Sequence, residues 1–275
     1  MEPNQVNAMK VSVSQFKSTP DISINLRTSI EHIKLAAAEG SRVIGFPEAS
    51  MVAFESSRDE LRAYAESSST RFVEGIAEAA AAHGMDVFTG IYEPSGEERS
   101  SNVFIHVNSK GEIAGRYEKV HLYDAFSFQE SAKNRHAPLK PDHGEVYVAE
   151  VDGIRFGILN CYDLRFPEIS RIAVDKGADV LVYGAGWIAG SLKELHWETL
   201  LRARAIENTC FVLAPCQPPP ESVGMSMILD PSGLSLAGVA EKQGVCSAHI
   251  DLERLRQVRE VLPSLRHRRY RIAAA

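Results

Sequence analysis

Cysteine is scarce and follows no pattern. The four cysteines among 275 residues (Cys161, Cys210, Cys216 and Cys246) form no CxxC pair and no Cys/His spacing of a zinc site. Neither a disulfide framework nor a metal centre is expected, and no cofactor is implied. Long apolar runs are also missing. None approaches the ~18 residues that a membrane span needs, and the opening stretch MEPNQVNAMK lacks the apolar core of a secretory leader. The expected location is cytoplasmic, where thiols stay reduced, with no membrane partner. A basic excess is absent as well: the formal net charge is -6, which argues against a binder that neutralises nucleic-acid phosphates. The one basic cluster, Arg266, His267, Arg268, Arg269 and Arg271, reads as a solvated or interface segment. There is no repeat, no low-complexity tract and no linker. PCQPPPES (Pro215 to Ser222) is a Pro-rich loop too short to separate domains, so residues 1–275 read as one domain.

What is present is ordinary globular composition, 44% hydrophobic and 24% charged, arranged as short β-branched runs alternating with amphipathic stretches. Met9 to Phe16 alternates as a strand does. Asn25 to Glu39 has helical spacing, and Gly40 stands where a C-cap glycine belongs. RVIGFPE is a buried strand ending at Pro47. Arg71 to His83 is a helix, followed by strands DVFTGIY and SNVFIHVN, with a turn at Asn108 to Gly111 into EIAGRYEK. Then come EVYVAEV and IRFGILN, a helix from Pro167 to Lys176, the strand DVLVYGAGW, and a helix from His196 to Asn208. CFVLAP, MSMILD and VCSAHI are strands, and the last helix runs from Leu252 to Val261. Strands interleaved with helices, several of them hairpin-paired, predict a layered α/β fold with mixed sheets.

Three chemically complementary side chains follow apolar strands, where α/β folds open their crevices. Glu48 ends RVIGFPE, Lys119 lies in GRYEKVHLYD, and Cys161 follows RFGILN. A carboxylate can take a thiol proton, while an ammonium favours the thiolate and can stabilise an oxyanion. Each residue taken singly has a plain alternative. Cys161 is then a small buried hydrophobe, Glu48 a surface acid and Lys119 an exposed lysine.

The order and flanks of six blocks go further. GFPE, YEKVHLYD, NCYDLRFPE, HWETLLRARAIEN, DPSG and IDLERLRQVREVLP together resemble the nitrilase superfamily, the carbon–nitrogen hydrolases, from Met9 to about Arg271. The flanks are similar to the branch containing the Nit amidases. The resemblance implies a four-layer α-β-β-α sandwich, two mixed sheets with helices outside, and a Glu-Lys-Cys triad at Glu48, Lys119 and Cys161. It places a second glutamate in FQES, at Glu130, to orient Lys119 or the substrate nitrogen. Glu48 would accept the Cys161 proton, while Lys119 and the Tyr162 backbone N–H stabilise the oxyanion. The resemblance also implies a homodimer or higher homo-oligomer, with the helix His196 to Asn208 and the segment from about 251 to 275 at the interface.

Other residues near these blocks carry separate expectations. Asp163 and Glu168 are read as caps of the helix that Pro167 opens. Arg165 and Tyr162 are candidates for binding substrate. For Arg165, pairing with an acid in the helix layer is preferred over a substrate carboxylate. Trp187 is placed on the pocket wall, with a core role as the alternative. Arg202, Arg204 and Glu207 are expected to form an ion-paired face.

The implied reaction is hydrolysis of a small-molecule carboxamide through a cysteine thioester. An ω-amidase acting on 2-oxoglutaramate or deaminated glutathione ranks first. FQES resembles the first kind, and LLRARAIEN with VREVLPSLRHRR the second. N-carbamoyl amino acid hydrolysis and nitrile hydrolysis are the alternatives on the same triad. Rivals of other classes are a catalytically silent binding protein and a redox-sensing thiol protein.

Overall fold

Val87, Ile105 and Val107 leave their strands on one face and Phe88 and Phe104 on the other, and all five are fully buried. Strands apolar on both faces need cover on both sides, and that requirement organises the chain. The computed structural model describes residues 8–126 and 128–273; residues 1–7, most of the segment read for a leader, lie outside them. Two six-stranded sheets lie face to face with helices outside each, the four-layer α-β-β-α sandwich expected.

The first sheet holds β1 (Ala8–Gln15), β2 (Val43–Gly45), β3 (Asp86–Pro94), β4 (Ser100–Val107), β5 (Ile113–Glu118) and β14 (Gly244–Asp251), in the order β14-β1-β2-β3-β4-β5. β1, β2 and β3 are parallel, with Val11 opposite Val43 and Val43 opposite Asp86, and the outer pairings are antiparallel. The second sheet holds β8 (Val148–Val151), β9 (Ile154–Asn160), β10 (Val180–Gly184), β11 (Phe211–Ala214), β12 (Ser226–Leu229) and β13 (Ser235–Val239), in that spatial order. Its β9-β10-β11 core is parallel, with Val180 opposite both Phe156 and Phe211. Between the sheets Phe88 meets Phe156 at 5.5 Å, and burying each such side chain is worth about 1.5–3 kcal/mol. The first sheet is covered outside by α1 (Ile22–Ala38) and α3 (Ser69–His83), the second by α4 (Pro167–Asp175) and α5 (Lys193–Asn208). A small ribbon of β6 (Asp124–Ala125) and β7 (Phe128–Gln129) lies beside them. Among the described residues, no helix is long and apolar enough to cross a membrane.

Helix α6 (Leu252–Val261) has the bounds expected. α1 starts earlier than the apolar spacing implied, because the Asp21 carboxylate accepts from the N–H groups of Ser23 and Ile24 at 2.8 and 3.3 Å. α5 likewise begins at Lys193 rather than His196. Helix α2 (Arg58–Ser67), strand β13 and the β6-β7 ribbon were not expected. The helix is fixed by a capping box in which Ser57 and Glu60 bond reciprocally, yet it buries only Leu61 and Ala65. Strand β13 carries little apolar alternation. The strand expected over RVIGFPE is only Val43–Gly45, so Glu48 lies in the loop beyond it.

Candidate active site

Three strand ends supply the site. Lys119 directly follows β5, Cys161 directly follows β9, and Glu48 sits just past β2. The loop bearing Glu48 crosses β3 at Gly90, where a Cβ atom would stand 2.6 Å from the Ala49 nitrogen and 2.9 Å from the Glu48 Cα. Only glycine admits that crossing. Ala49 itself holds φ 56°, in the left-handed region. Glu130 arrives from a 3-10 turn, Glu130–Ala132, after β7.

The structure brings the four expected residues together. Lys119 Nζ donates to Glu48 Oε1 and to Glu130 Oε2, each at 2.7 Å. Glu48 Oε2 accepts the Gly186 N–H at 3.2 Å, and Glu130 Oε2 also accepts the Tyr123 N–H at 2.8 Å. Cys161 lines the same cleft, which has about 500 Å³ of empty space, the open mouth included. Glu48, Lys119, Glu130 and Cys161 are 5, 1, 5 and 7% exposed, so the charges act on one another with little screening.

Their protonation states follow from that burial. Burial works against the Glu48 charge, but Lys119 and the hydrogen bonds outweigh it and hold the carboxyl below the ordinary glutamate range. Burial works against Lys119 too, and Glu130 and Glu48 together hold its ammonium well above the ordinary range. At Cys161, burial and then the Glu48 charge push the thiol well above its usual value, with Lys119 opposing them. The ammonium was expected to favour the thiolate. It does pull that way, but two larger effects win, so the resting site is carboxylate, ammonium and neutral thiol.

Cys161 opens a 3-10 turn, Cys161–Arg165, with φ 45°, a conformation that non-glycine residues adopt only under local constraint. The constraint is visible. Asp163, fully buried, accepts from the Tyr117 hydroxyl at 2.6 Å, from His121 Nδ1 at 2.7 Å and from the Asn160 N–H at 2.9 Å. It therefore ties the turn to the segment around Lys119 and does not cap α4, as was expected. Glu168 lies exposed in the first turn of α4, whose N-cap is Phe166 with no side-chain bond; Pro167 does open the helix. Arg204 steadies the turn from α5, donating to the Leu164 carbonyl at 2.7 Å while pairing with Glu207 at 3.0 Å. The expected three-residue ion-paired face is thus divided, because Arg202 pairs with Glu198 instead. Tyr162 is the second residue of the turn, and at that position a backbone N–H has no acceptor within its own helix.

Arg165 departs from its preferred reading. Among the described residues it pairs with no acid; its guanidinium stands 4.7 Å over the Trp187 ring, on the cleft wall. Trp187 fills both roles considered for it. It lines the cleft, is 3% exposed, and packs against Trp197 at 5.4 Å.

Sequence reasoning missed Asn102, Asn160, Tyr123 and Lys193. Asn102 Nδ2 donates to Glu48 Oε1 and Glu130 Oε1, each at 2.9 Å, and nothing in its strand, which also carries Ser100, Ser101 and His106, marked it out. Among the described residues, no group of three His, Cys, Asp or Glu is placed to hold a metal ion.

Residues 10–260 match the family model described as carbon-nitrogen hydrolase. The chain is 41% identical over 190 residues to the putative protein YbeM of Escherichia coli K12, covering 68% of this chain and 96% of that one. It is 35% identical over 271 residues to the deaminated glutathione amidase of Escherichia coli O157:H7, covering 95% and 98%. Among solved structures it is similar to the C. elegans NitFhit protein, with TM-score 0.87 and 27% identity over 96% of this chain; the chain spans 65% of that one. It is also similar to Saccharomyces cerevisiae Nit3, of branch 10 of the nitrilase superfamily, with TM-score 0.84, 25% identity, and 96% and 97% coverage. With the fold, the sequence blocks and the family match in agreement, the chain belongs to the carbon–nitrogen hydrolase family, as a Nit-like member of the nitrilase superfamily.

Proposed function

We propose that the protein hydrolyses the terminal carboxamide of a small ω-amido acid to carboxylate and ammonia, through a thioester on Cys161. The observation that carries this reading is the single ammonium of Lys119 bonded to both Glu48 and Glu130 in a cleft lined by a cysteine. The sulfur of Cys161 attacks the amide carbon as its proton passes to Glu48, which rests ionised and so can receive it. The electrons move onto the carbonyl oxygen, which takes hydrogen bonds from Lys119 Nζ and the Tyr162 N–H. Glu48 then gives the proton to the nitrogen; the C–N bond breaks and ammonia leaves. Water, deprotonated by Glu48, attacks the thioester, and the C–S bond breaks to release the acid and restore the thiol. Glu130 orients Lys119.

Deaminated glutathione is the first substrate to test, because relatives so named are 35% identical over more than nine-tenths of the chain; 2-oxoglutaramate, carbamoyl and nitrile compounds complete the panel. Brief exposure to each compound followed by mass spectrometry should show an acyl adduct on Cys161, with ammonia released. Cys161→Ala should give neither; undiminished ammonia from that variant would sink the scheme. We also propose a homo-oligomer, supported by an apolar stripe on α5 and the segment leading into β13, in which Leu195, Ile206 and Leu234 are exposed.

A further inference from the structure

Asn102 has a neighbour in the cleft that the mechanism leaves unused. Tyr92 of β3 stands directly opposite Asn102 of β4. Side chains directly opposite across an antiparallel pair leave the same face, with Cβ atoms about 5 Å apart. Asn102 turns its amide to Glu48 and Glu130, so Tyr92 faces the same acids, and it lines the cleft. Two residues earlier on that face, Gly90 lies against the loop that carries Glu48. Tyr92 is 1% exposed, and its hydroxyl has no hydrogen-bond partner among the described residues.

A buried hydroxyl without a partner is unfavourable, and so enclosed a side chain cannot find one in bulk solvent. The polar groups around it are engaged. Lys119 bonds both acids, and Asn102 bonds both acids while accepting from Asn160. The Tyr123 hydroxyl accepts from Lys193, and Lys133 donates to the carbonyls of Phe54, Glu55 and Ser56. Asn134 Oδ1 also lacks a partner among the described residues, but it is sealed from solvent and so from anything that enters the cleft. Burial, then the charges of Glu48 and Glu130, push the Tyr92 phenol well above its ordinary range. The phenol therefore keeps its proton throughout the cycle and acts only through hydrogen bonds.

We propose that the Tyr92 hydroxyl seats the water that hydrolyses the thioester on Cys161. This inference rests on the amidase reading above and extends it to deacylation. When ammonia leaves, water takes its place beside Glu48, and a water held by one carboxylate alone can swing away from the acyl carbon. A second acceptor fixes its orientation. One hydrogen points to Glu48 and the other to Tyr92 Oη, which leaves a lone pair of the water oxygen directed at the acyl carbon. As the C–O bond forms, the first hydrogen passes to Glu48 as a proton. The C–S bond then breaks, and the sulfur takes that proton back. The second hydrogen stays on the oxygen and leaves with the acid, so Tyr92 ends as it began.

The test uses whichever amide of the panel above is turned over fastest, with hydroxylamine competing against water for the acyl-enzyme. Hydroxylamine is the stronger nucleophile and depends less on alignment. Tyr92→Phe keeps the ring and removes only the hydroxyl. It should raise the ratio of hydroxamate to free acid by about threefold to tenfold, the range expected for losing one neutral hydrogen bond. Acyl adduct on Cys161 should accumulate at steady state, while ammonia release in the first turnover keeps its wild-type rate. The ratio is read within one acyl-enzyme population, so it does not depend on how much of the variant folds. A wild-type ratio in Tyr92→Phe would overturn the water seat and leave the amidase reading intact, and so would first-turnover ammonia slowed as much as the steady state. A wild-type protein that gives neither ammonia nor adduct with any amide ends the amidase reading, and the seat with it.

Discussion

The side chains of Asn102 and Asn160 are hydrogen bonded to each other, Nδ2 of Asn160 donating to Oδ1 of Asn102 at 2.9 Å. Asn102 uses its own amide N–H groups on Glu48 and Glu130, and Asn160 immediately precedes Cys161. One buried amide therefore sets both acids against the segment that aims the sulfur. Replacing it by leucine strands three polar partners. Since each unpaired interior group costs roughly 1–3 kcal/mol, Asn102→Leu should lower unfolding stability by about 3 kcal/mol or more and kcat by about tenfold. Denaturant unfolding with steady-state ammonia release checks both. Wild-type values for the two would show that the clamp has no weight.

Glu48 and Cys161 make a prediction with opposed signs. Glu48→Gln removes the proposed base, so turnover should fall by ~10²-fold or more, as losing a general base does. It also removes a charge that pushes the thiol up, so Cys161 should be alkylated faster by iodoacetamide at pH 8. Slower alkylation in that variant would mean that Glu48 stabilises a resting thiolate.

The same shifts fix the pH window. Glu48 is held below its ordinary 4.5, so its contribution to stability is complete above that pH and is lost as pH falls through the lower folded value. Lys119 is held above 10.5, so its contribution is complete below that pH and is lost only as pH rises past it. The Tm difference between wild type and Glu48→Gln should therefore be flat across the neutral range and shrink below pH 4.5. A difference that changes near pH 7 would contradict these assignments.

Gly90→Ala puts a methyl group against the backbone of Ala49 and Glu48. Backbone cannot yield as a flexible side chain does, so a loss of about 1–3 kcal/mol is expected, with kcat reduced because Glu48 moves. Thermal unfolding that matches wild type would show that the crossing has slack.

On α5, Leu195, Glu198, Arg202 and Ile206 follow one another at helical spacing, and Leu195 and Ile206 are exposed beside Leu234 of the adjoining segment. Ile206→Glu should convert the oligomer to a smaller species in sedimentation velocity. A wild-type protein that sediments as a monomer would end the oligomer proposal.

Much of this was legible in the sequence. Strands such as IRFGILN and DVLVYGAGW are largely apolar, and α6 has both a starting Asp251 and a stopping Pro263. Glu48, Lys119 and Cys161 were placed by the six blocks and Glu130 by the separate FQES segment, since no local pattern distinguishes a site acid from a surface one. Asn102 escaped because its partners come from three other segments that meet only in the folded chain. Arg165 was misread for a related reason: its partner is the face of Trp187, and the spacing of charges says nothing of rings. Helix α2 escaped because two buried residues leave almost no apolar stripe, although its Ser57-to-Glu60 signature was present.

Lys119 is held between Glu48 and Glu130, with Glu48 kept ionised below its ordinary range. In the proposed reaction, the proton that reaches Glu48 as the sulfur attacks cancels that charge, and an equal charge appears on the substrate oxygen beside the same ammonium. Acylation thus relocates a charge over a few ångströms without importing or expelling one. The surrounding dipoles need not reorganise, and added salt, which acts on exposed groups, has little to grip.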